Sequence, residues 1–495
     1  MKLLVDPFIP VADGQRHTLV TLRHVLCTDN PFELVLPRDD MELACLQLII
    51  CLVQAIFPPR DVDSWWDRLD SPMDEVEFDA GIAPYLDWFD LDHPTQPFMQ
   101  ARGVKAGEPT PVQKLLVGLP EGNNHAFFND AGEVTHLSPP AAAIALFNQA
   151  SCAPNFGGGF KGALRGVPIT TLIAGEHLRD TVWRNVLHEE SLRKLLPAYD
   201  ETRAQPPVWV KPIQPAERIH ATSIGLLRGL FWQPARVELM FSAFAAECGL
   251  LDGPPQRGYA GFNKEKFVFD VQGLWPHPHS PSEFEIKKNE KTERCLAFTT
   301  IAPAWTQCSR FLFEHPSPKE GSSAAAVVRQ WRSCSGAPLR LIVGGYRNKQ
   351  ASVIERRHEL FSIAAGWSSA EGGGRIERTI QRALDYKKLL RGKLYRVVKG
   401  DRDKHLRGVG GALQEIGEER FYHRTEPLIH RNLSEPIVVD EFADFLLFNK
   451  ALGTICRNLF DEMTEPYTRD PILLRTVALA RVSLNNDLKP LEEGQ

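Results

Sequence analysis

The sequence contains no CxxC pair: its nine cysteines stand apart at positions 27, 45, 51, 152, 248, 295, 308, 334 and 456. An odd, dispersed set argues against a disulfide framework and fits reduced thiols in a cytosol. Long apolar runs are missing too. The longest, residues 43–57, is interrupted by Gln47 and Gln54 and falls short of a bilayer span, so it reads as a buried helix. Asp6 and Pro7 break the opening MKLLVDP before a signal h-region can form, and a cytoplasmic protein without a membrane role is expected. Nor is there an excess of positive charge: 57 Lys and Arg face 62 Asp and Glu, for a formal net charge of -5. That excludes coating nucleic acid through bulk charge. It leaves local basic tracks open, because screening lets only nearby charges act. The signatures GxxxxGK[ST], GxSxG and HExxH are absent, and no internal repeat is visible.

What remains is an ordinary globular composition, 43% hydrophobic and 24% charged, in a chain of 495 residues, long enough for two or three domains. Short apolar runs alternating with turns over the first thirty residues read as strands. A helix is expected over 41–57, with acids just before it where the dipole favours them, and another over 141–150. Strand-like pieces follow at 167–173, 266–271, 283–287 and 339–343, with an Ala-rich helix over 321–332. At 366–374 the chain reads GWSSAEGGG. Beyond it come long amphipathic stretches at 375–399, 412–432, 438–464 and 471–488. The expected class is α+β: a large mixed N-terminal domain over 1–366, a linker near 367–374, and an antiparallel four-helix bundle over 375–491.

Several segments offer chemistry. Asp87, Asp90, Asp92 and His93 lie in YLDWFDLDHP and resemble a hard-cation cluster, although such residues commonly cap turns beside prolines. His277 and His279 in WPHPHSP are either metal ligands or parts of a rigid, proline-locked connector. The stretch Asn155-Phe156-Gly157-Gly158-Gly159-Phe160-Lys161 has three residues without Cβ, so its backbone can approach a partner closely. Lys161 and Arg165 add positive charge nearby. Gly344–Ser352 places two cations, two amides and a tyrosine on an expected strand-to-helix turn, with Ser352 capping a helix over 353–361. Lys264, Lys266, Lys287 and Lys288 are further cationic points. Between Arg375 and Arg407 stand twelve Lys and Arg against four acids, which suits either a phosphate-tracking face or a bundle helix balanced by its neighbours.

Seven segments in order, LPRDDMEL (36–43), HPTQPFMQ (93–100), ALFNQA (145–150), FGGGFK (156–161), GLLRGLFWQPA (225–235), GLWPHPHSP (273–281) and GGYRNKQASVIERRH (344–358), together resemble one family. It is the large subunit, CasA, of the type I-E CRISPR surveillance complex Cascade. The resemblance implies a non-catalytic subunit that binds the protospacer-adjacent motif (PAM) of double-stranded target DNA from the minor groove. The subunit then promotes duplex opening and R-loop formation. It implies PAM contacts from Asn155, Gly157, Gly158 and Lys264, and a strand-separating wedge at Gln350 and Ala351. Lys287 and Lys288 would hold the displaced strand, and Phe127, Phe128 and Asn129 would face the guide RNA and other subunits. The implied partners are the other Cascade subunits, the CRISPR guide RNA, target DNA and a recruited helicase–nuclease; no cofactor is implied. Some relatives carry a glycine where this chain has Asn155, and asparagine tolerates φ > 0 better than other non-glycine residues. Relatives also carry two Cys-pair motifs that suggest zinc. The corresponding stretches here, 135–140 and 248–253, hold the single Cys248, so no metal is expected. From the residues alone, a metal-dependent nuclease built on Asp87, Asp90, Asp92 or His93 and a purely structural adaptor remain as rivals.

Overall fold

A computed structural model describes residues 1–14, 16–119, 132–288, 290–401, 406–435 and 441–494. The chain divides into two compact units. One comprises Met1–Thr299, Arg310–Cys334 and Leu341–Leu360; the other comprises Thr300–Ser309, Ser335–Arg340 and Phe361–Gln495. The division therefore falls at Phe361, ahead of the GWSSAEGGG stretch, and two short earlier segments join the second unit.

Between Met1 and Leu360 the helices are α1 (Leu22–Cys27), α2 (Asp39–Ile56), α3 (Val62–Asp70), α4 (Glu75–Ile82), α5 (Pro139–Ser151), α6 (Leu178–Arg184), α7 (Glu189–Leu195), α8 (Tyr199–Thr202), α9 (Leu226–Leu230), α10 (Cys308–Leu312) and α11 (Ala326–Cys334). The strands make small sheets. β1 (Ile9–Asp13) lies between β2 (Arg16–Val20) and β3 (Glu33–Leu34), and β8 (Tyr259–Glu265) between β4 (Thr110–Pro111) and β7 (Arg236–Phe241). β10 (Ser282–Lys287) is flanked by β11 (Glu290–Cys295) and β12 (Glu320–Ser323). β13 (Leu339–Lys349) is flanked by β14 (Ser352–Ile363) and β5 (Thr170–Ala174), while β6 (Arg218–His220) pairs with β9 (Asp270–Gln272). Of the strand expected over 266–271, residues 266–269 are the connection after β8, and only Asp270 and Val271 are in a strand, β9.

Helix α2 is the pillar of the first unit. It is apolar on nearly every face, and thirteen of its residues from Met41 to Gln54 are buried. Each fully buried Leu or Ile contributes roughly 1.5–3 kcal/mol. The two glutamines that interrupt its apolar run are both paired. Gln54 exchanges hydrogen bonds with the backbone of Leu187 at 3.0 and 2.6 Å. Gln47 accepts from Arg165 at 2.7 Å and lies 3.1 Å from His279 Nδ1. Helix α5 packs on α2, starting with Pro139 and Pro140 in its first turn, where the ring costs no hydrogen bond. Its C-terminus, from which the glycine loop departs, is thus set against a rigid core.

The second unit is dominated by α12 (Ala370–Lys399), α13 (Leu413–Ser434), α14 (Glu441–Thr464) and α15 (Pro471–Glu492). α12 packs on the other three, α13 on α14, and α14 on α15, which makes a four-helix bundle. The short strands β15 (Gly400–Asp401) and β16 (Leu406–Arg407) pair beside it. GWSSAEGGG is not an extended linker. Ser369 caps α12 by accepting from the Gly372 N–H at 3.0 Å, and a Cβ on Gly372 would lie 2.3 Å from the Gly366 carbonyl oxygen. The glycine there answers a close approach. The basic excess of α12 is balanced in part by its neighbours. Glu418 of α13 pairs with Lys387 at 3.0 Å and Arg391 at 2.9 Å, and Asp487 of α15 pairs with Lys393. Among the described residues no helix is long and apolar enough to cross a membrane.

Candidate nucleic-acid interface

Helix α5 ends at Ser151, and the carbonyl of Asn148 accepts from both Cys152 N (2.9 Å) and Ala153 N (3.0 Å). The chain then turns through three consecutive glycines with φ of 76°, 54° and 85° at Gly157, Gly158 and Gly159. Any residue with a Cβ would be strained there. Asn155 is not itself in the left-handed region, contrary to expectation. It works through its side chain, whose Oδ1 accepts from Gly157 N at 3.0 Å while Nδ2 donates to Phe160 O at 2.8 Å. The amide is spent on holding the loop.

The far end of the loop is held by Arg165. Expected to add charge beside exposed backbone, it is in fact buried. Its Nε donates to Ser151 O (2.9 Å), Nη1 to Ser280 Oγ (2.9 Å) and Nη2 to Gln47 Oε1 (2.7 Å). The first of these takes up an orphan carbonyl at the C-terminus of α5, where a cation also suits the dipole. Arg165 therefore closes the loop onto α2, α5 and the segment before β10.

The expected helix over 353–361 does not form. Ser352 opens strand β14, whose residues alternate between exposed and more buried positions; Arg356 and His358 face outward, while Glu355, Arg357 and Glu359 lie on the more buried face, where Glu355 pairs with Arg347 and Arg357. β13 and β14 are joined by the two-residue turn Gln350-Ala351, so Gln350 sits at a hairpin tip. Its φ of 54° is a left-handed conformation that a non-glycine residue adopts at a cost of roughly 1–2 kcal/mol. Asn348 steadies it by donating to the Gln350 carbonyl.

Loop and hairpin tip meet. A Cβ built on Gly157 would lie 3.4 Å from that of Ala351. Together Asn155, Gly157–Gly159 and Gln350–Ser352 line an open cleft of about 490 Å³. Lys264, near the end of β8, reaches the same loop from the other side. Its ammonium stands 5.1 Å from the centroid of Phe156 and 5.9 Å from that of Phe262. Lys266 is also close: its Nζ is 5.7 Å from the Phe160 ring and 3.7 Å from where a Cβ on Gly159 would be. In the sequence Lys266 is a cationic point only, and its i, i+2 spacing from Lys264 is the signal that places both on one side. Asn155, Gly157, Gly158, Lys264, Gln350 and Ala351 are thus brought together. Lys287 and Lys288 are elsewhere, at the exposed tip of the β10–β11 hairpin, where Lys287 pairs with Glu285 at 2.8 Å and Lys288 has φ 51°. Phe127, Phe128 and Asn129 lie outside the described residues.

The other candidates are used structurally. Asp92 accepts from the Met1 amino group at 2.9 Å and from the Tyr259 hydroxyl, while Asp90 Oδ1 accepts from Asp92 N at 3.1 Å. His93 Nδ1 accepts from Gln96 N at 3.1 Å. This set shapes a turn, as residues beside a proline commonly do. His277 and His279 are buried, and with Cys51 their ligand-type atoms lie within 4.8 Å of one another. Yet His279 spends Nδ1 on Gln47 (3.1 Å) and Nε2 on Asn185 O (3.2 Å). Burial first, and then the Arg165 charge, push both histidines down, His279 to about 3. A set of donors beside a buried guanidinium suits a cation poorly. The two stretches aligned with the zinc motifs do lie together: Gly249 N donates to His136 O at 2.9 Å, and Cys248 Sγ accepts from Ser138 N and Oγ, both at 3.3 Å. Hydrogen bonds to one thiol join them here.

The family model for CRISPR-associated protein Cse1 matches residues 2–453. The CRISPR-associated protein CasA/Cse1 of Thermus thermophilus is 25% identical over 432 residues, covering 81% of this chain and 79% of its own. The crystal structure of Thermobifida fusca Cse1 superposes with a TM-score of 0.75 at 17% identity, covering 99% of this chain and 98% of that one. A chain of a CRISPR RNA-guided surveillance complex superposes with a TM-score of 0.62 at 14% identity, over 98% and 99%.

Proposed function

The chain belongs to the CRISPR-associated Cse1 family, and from that premise we propose that it is the non-catalytic large subunit of a Cascade-type RNA-guided surveillance complex. In that role it recognises the PAM of double-stranded target DNA through the minor groove and helps open the duplex. Its partners are the other subunits, the guide RNA, target DNA and a helicase–nuclease recruited afterwards. The observation that carries the reading is the meeting of the glycine loop and the Gln350-Ala351 turn at one open cleft, with Lys264 against Phe156 of the same loop.

The chemistry of that cleft suits a groove. The minor groove offers mainly adenine N3 and thymine O2 acceptors, which a lone ammonium and backbone N–H groups read loosely. A loop without side chains at Gly157–Gly159 lets backbone come close. A glutamine at a hairpin tip is placed to insert at a base step, where unstacking costs a few kcal/mol that new contacts must offset. Sequence itself is read by base pairing with the guide. The nuclease rival has less behind it, since Asp90 and His93 are engaged in their own turn and Asp92 holds the Met1 amino group and the Tyr259 hydroxyl.

The test is a shift assay of the reconstituted complex against a PAM library, with Lys264→Ala and Gln350→Ala. Selective loss of binding to the best PAMs is expected. Unchanged binding by both variants would leave only an adaptor role, and magnesium-dependent cleavage by the purified chain alone would overturn the non-catalytic assignment.

A further inference from the structure

Two chain segments about 200 residues apart line the cleft, and they approach so closely that a Cβ added to Gly157 would lie 3.4 Å from that of Ala351. One buried carboxylate ties them. Asp40, in the first turn of α2, has a side chain 5% exposed. Its Oδ2 accepts from the Tyr346 hydroxyl at 2.9 Å and from Arg38 Nη2 at 2.8 Å; its Oδ1 accepts from Arg356 Nη1 at 3.2 Å. Tyr346 lies on β13, four residues before Gln350, and Arg356 lies on β14. A single acid thus grips both strands of the hairpin.

The same hydroxyl carries the tie onward. Tyr346 Oη accepts from Asn148 Nδ2 at 2.7 Å. Asn148 is the residue whose carbonyl receives both Cys152 N and Ala153 N, where α5 gives way to the glycine loop. Around this chain Val117, Cys152, Ala153 and Tyr346 form a small apolar cluster, with Val167 and Val353 packed against it. Burial, and next the Asp40 charge, push the Tyr346 phenol well above its ordinary range, so it remains the donor to Asp40.

We infer that Asp40 is a positioning residue for PAM recognition: acting through Tyr346 and Asn148, it sets the hairpin tip against the glycine loop without touching DNA. The inference rests on the reading of the cleft given above. Nothing else in the chemistry of α2 calls for a carboxylate that collects donors from a distant hairpin, since Asp39 and Glu42 already supply acids to that first turn.

The experiment uses the full complex carrying Asp40→Asn, Tyr346→Phe or, as reference, Gln350→Ala. Affinity is measured for the best PAM duplex from the library, for the same target without a PAM, and for the same PAM target with its first base pairs already opened by mismatch. The expected result is that Asp40→Asn and Tyr346→Phe lower the PAM-to-no-PAM ratio on intact duplex roughly tenfold, a scale reached by residues remote from a ligand. Binding to the pre-opened target should stay within about threefold, which a merely structural defect would not allow. If Gln350→Ala lowers the ratio and the other two do not, the positioning inference is wrong and the recognition reading stands. If Gln350→Ala also leaves the ratio unchanged, the reading of the cleft itself fails. Equal weakening on all targets would assign Asp40 to the fold alone; should Asp40→Asn not assemble, Tyr346→Phe, which deletes one oxygen, decides between the two.

Discussion

Replacing Arg165 by methionine asks whether the glycine loop is held from beneath. The guanidinium serves three strong acceptors, Ser151 O, Ser280 Oγ and Gln47 Oε1, at 2.7–2.9 Å. Methionine keeps much of the stem and donates nothing. Gln47 retains the Cys152 thiol at 3.3 Å, so the loss falls mainly on the other two acceptors. At ~1–3 kcal/mol each the gross loss is roughly 2–6 kcal/mol. Removing the cation also relieves a desolvation cost, since among the described residues its partners are neutral, and the net loss should be about 2–4 kcal/mol. The assay is hydrogen exchange of the intact chain. Protection should fall across residues 152–170 while the bundle helices are unaffected. A second signature follows from charge: with the guanidinium gone, one cause of the low His279 pKa of about 3 is removed, and its titration moves up. Unchanged protection around the loop, or a stability loss under about 1 kcal/mol, would refute the reasoning.

Two adjacent glycines separate strain from contact. Gly158→Ala should weaken target binding modestly, because its φ of 54° costs about 1–2 kcal/mol while its Cβ meets open space. Gly157→Ala carries the same strain and adds a methyl 3.4 Å from Ala351, so its loss of PAM binding in a shift assay should be the larger; equal effects would show that the contact is irrelevant. Acid should destabilise the first unit through its buried histidines. His277 and His279 are depressed in the folded state, by burial first and then by Arg165. The unfolded chain therefore takes up protons below pH about 6.5 that the folded chain refuses. The stability they contribute is complete above that pH and is lost as pH falls toward 3, by up to about 1.4 kcal/mol per pH unit for each histidine. Urea unfolding between pH 7 and 4 measures it, and His279→Gln should flatten the slope; an unaltered slope counts against the assignment.

The sequence displays its periodic parts well. The α12–α15 bundle is legible because its apolar residues repeat every three to four positions; α12, for instance, buries Ile376, Ile380, Ala383, Leu390, Leu394 and Val397. Helices α2 and α5 are legible as continuous apolar runs. β14 reads as helix because Glu355, Arg356, Arg357, His358 and Glu359 are charged or titratable in succession, which masks an alternation only the sheet partner makes plain. Arg165 misleads for a related reason. A basic residue near glycines looks exposed, and nothing local announces the Gln47 and Ser280 that bury it, more than one hundred positions away in each direction. The members of the cleft are named by the resemblance, whereas their meeting is a fact of tertiary structure. Asp40 cannot be found at all from local pattern, since an acid opening a helix already has a sufficient explanation in the dipole.

The geometry of Asn155 decides what this residue contributes to the loop. Its amide makes two hydrogen bonds inside the loop, to Gly157 N and Phe160 O, at 3.0 and 2.8 Å. These two bonds hold the amide in the loop and restrict its rotation toward a base edge, although each of its polar atoms keeps one further hydrogen-bonding position. On the proposed reading, side-chain contacts to the groove come from Gln350 and Lys264, and the loop supplies backbone and shape. Asn155→Gly should therefore remove two bonds worth ~0.5–1.5 kcal/mol each and add the entropy of a freer backbone, about 0.5–1 kcal/mol. Such a loosening acts on every target alike. Measured against a PAM library, the variant complex should bind all sequences more weakly by a similar factor and keep their rank order. A changed order, with particular PAMs gained or lost, would mean that the amide leaves the loop when DNA arrives and reads the groove directly.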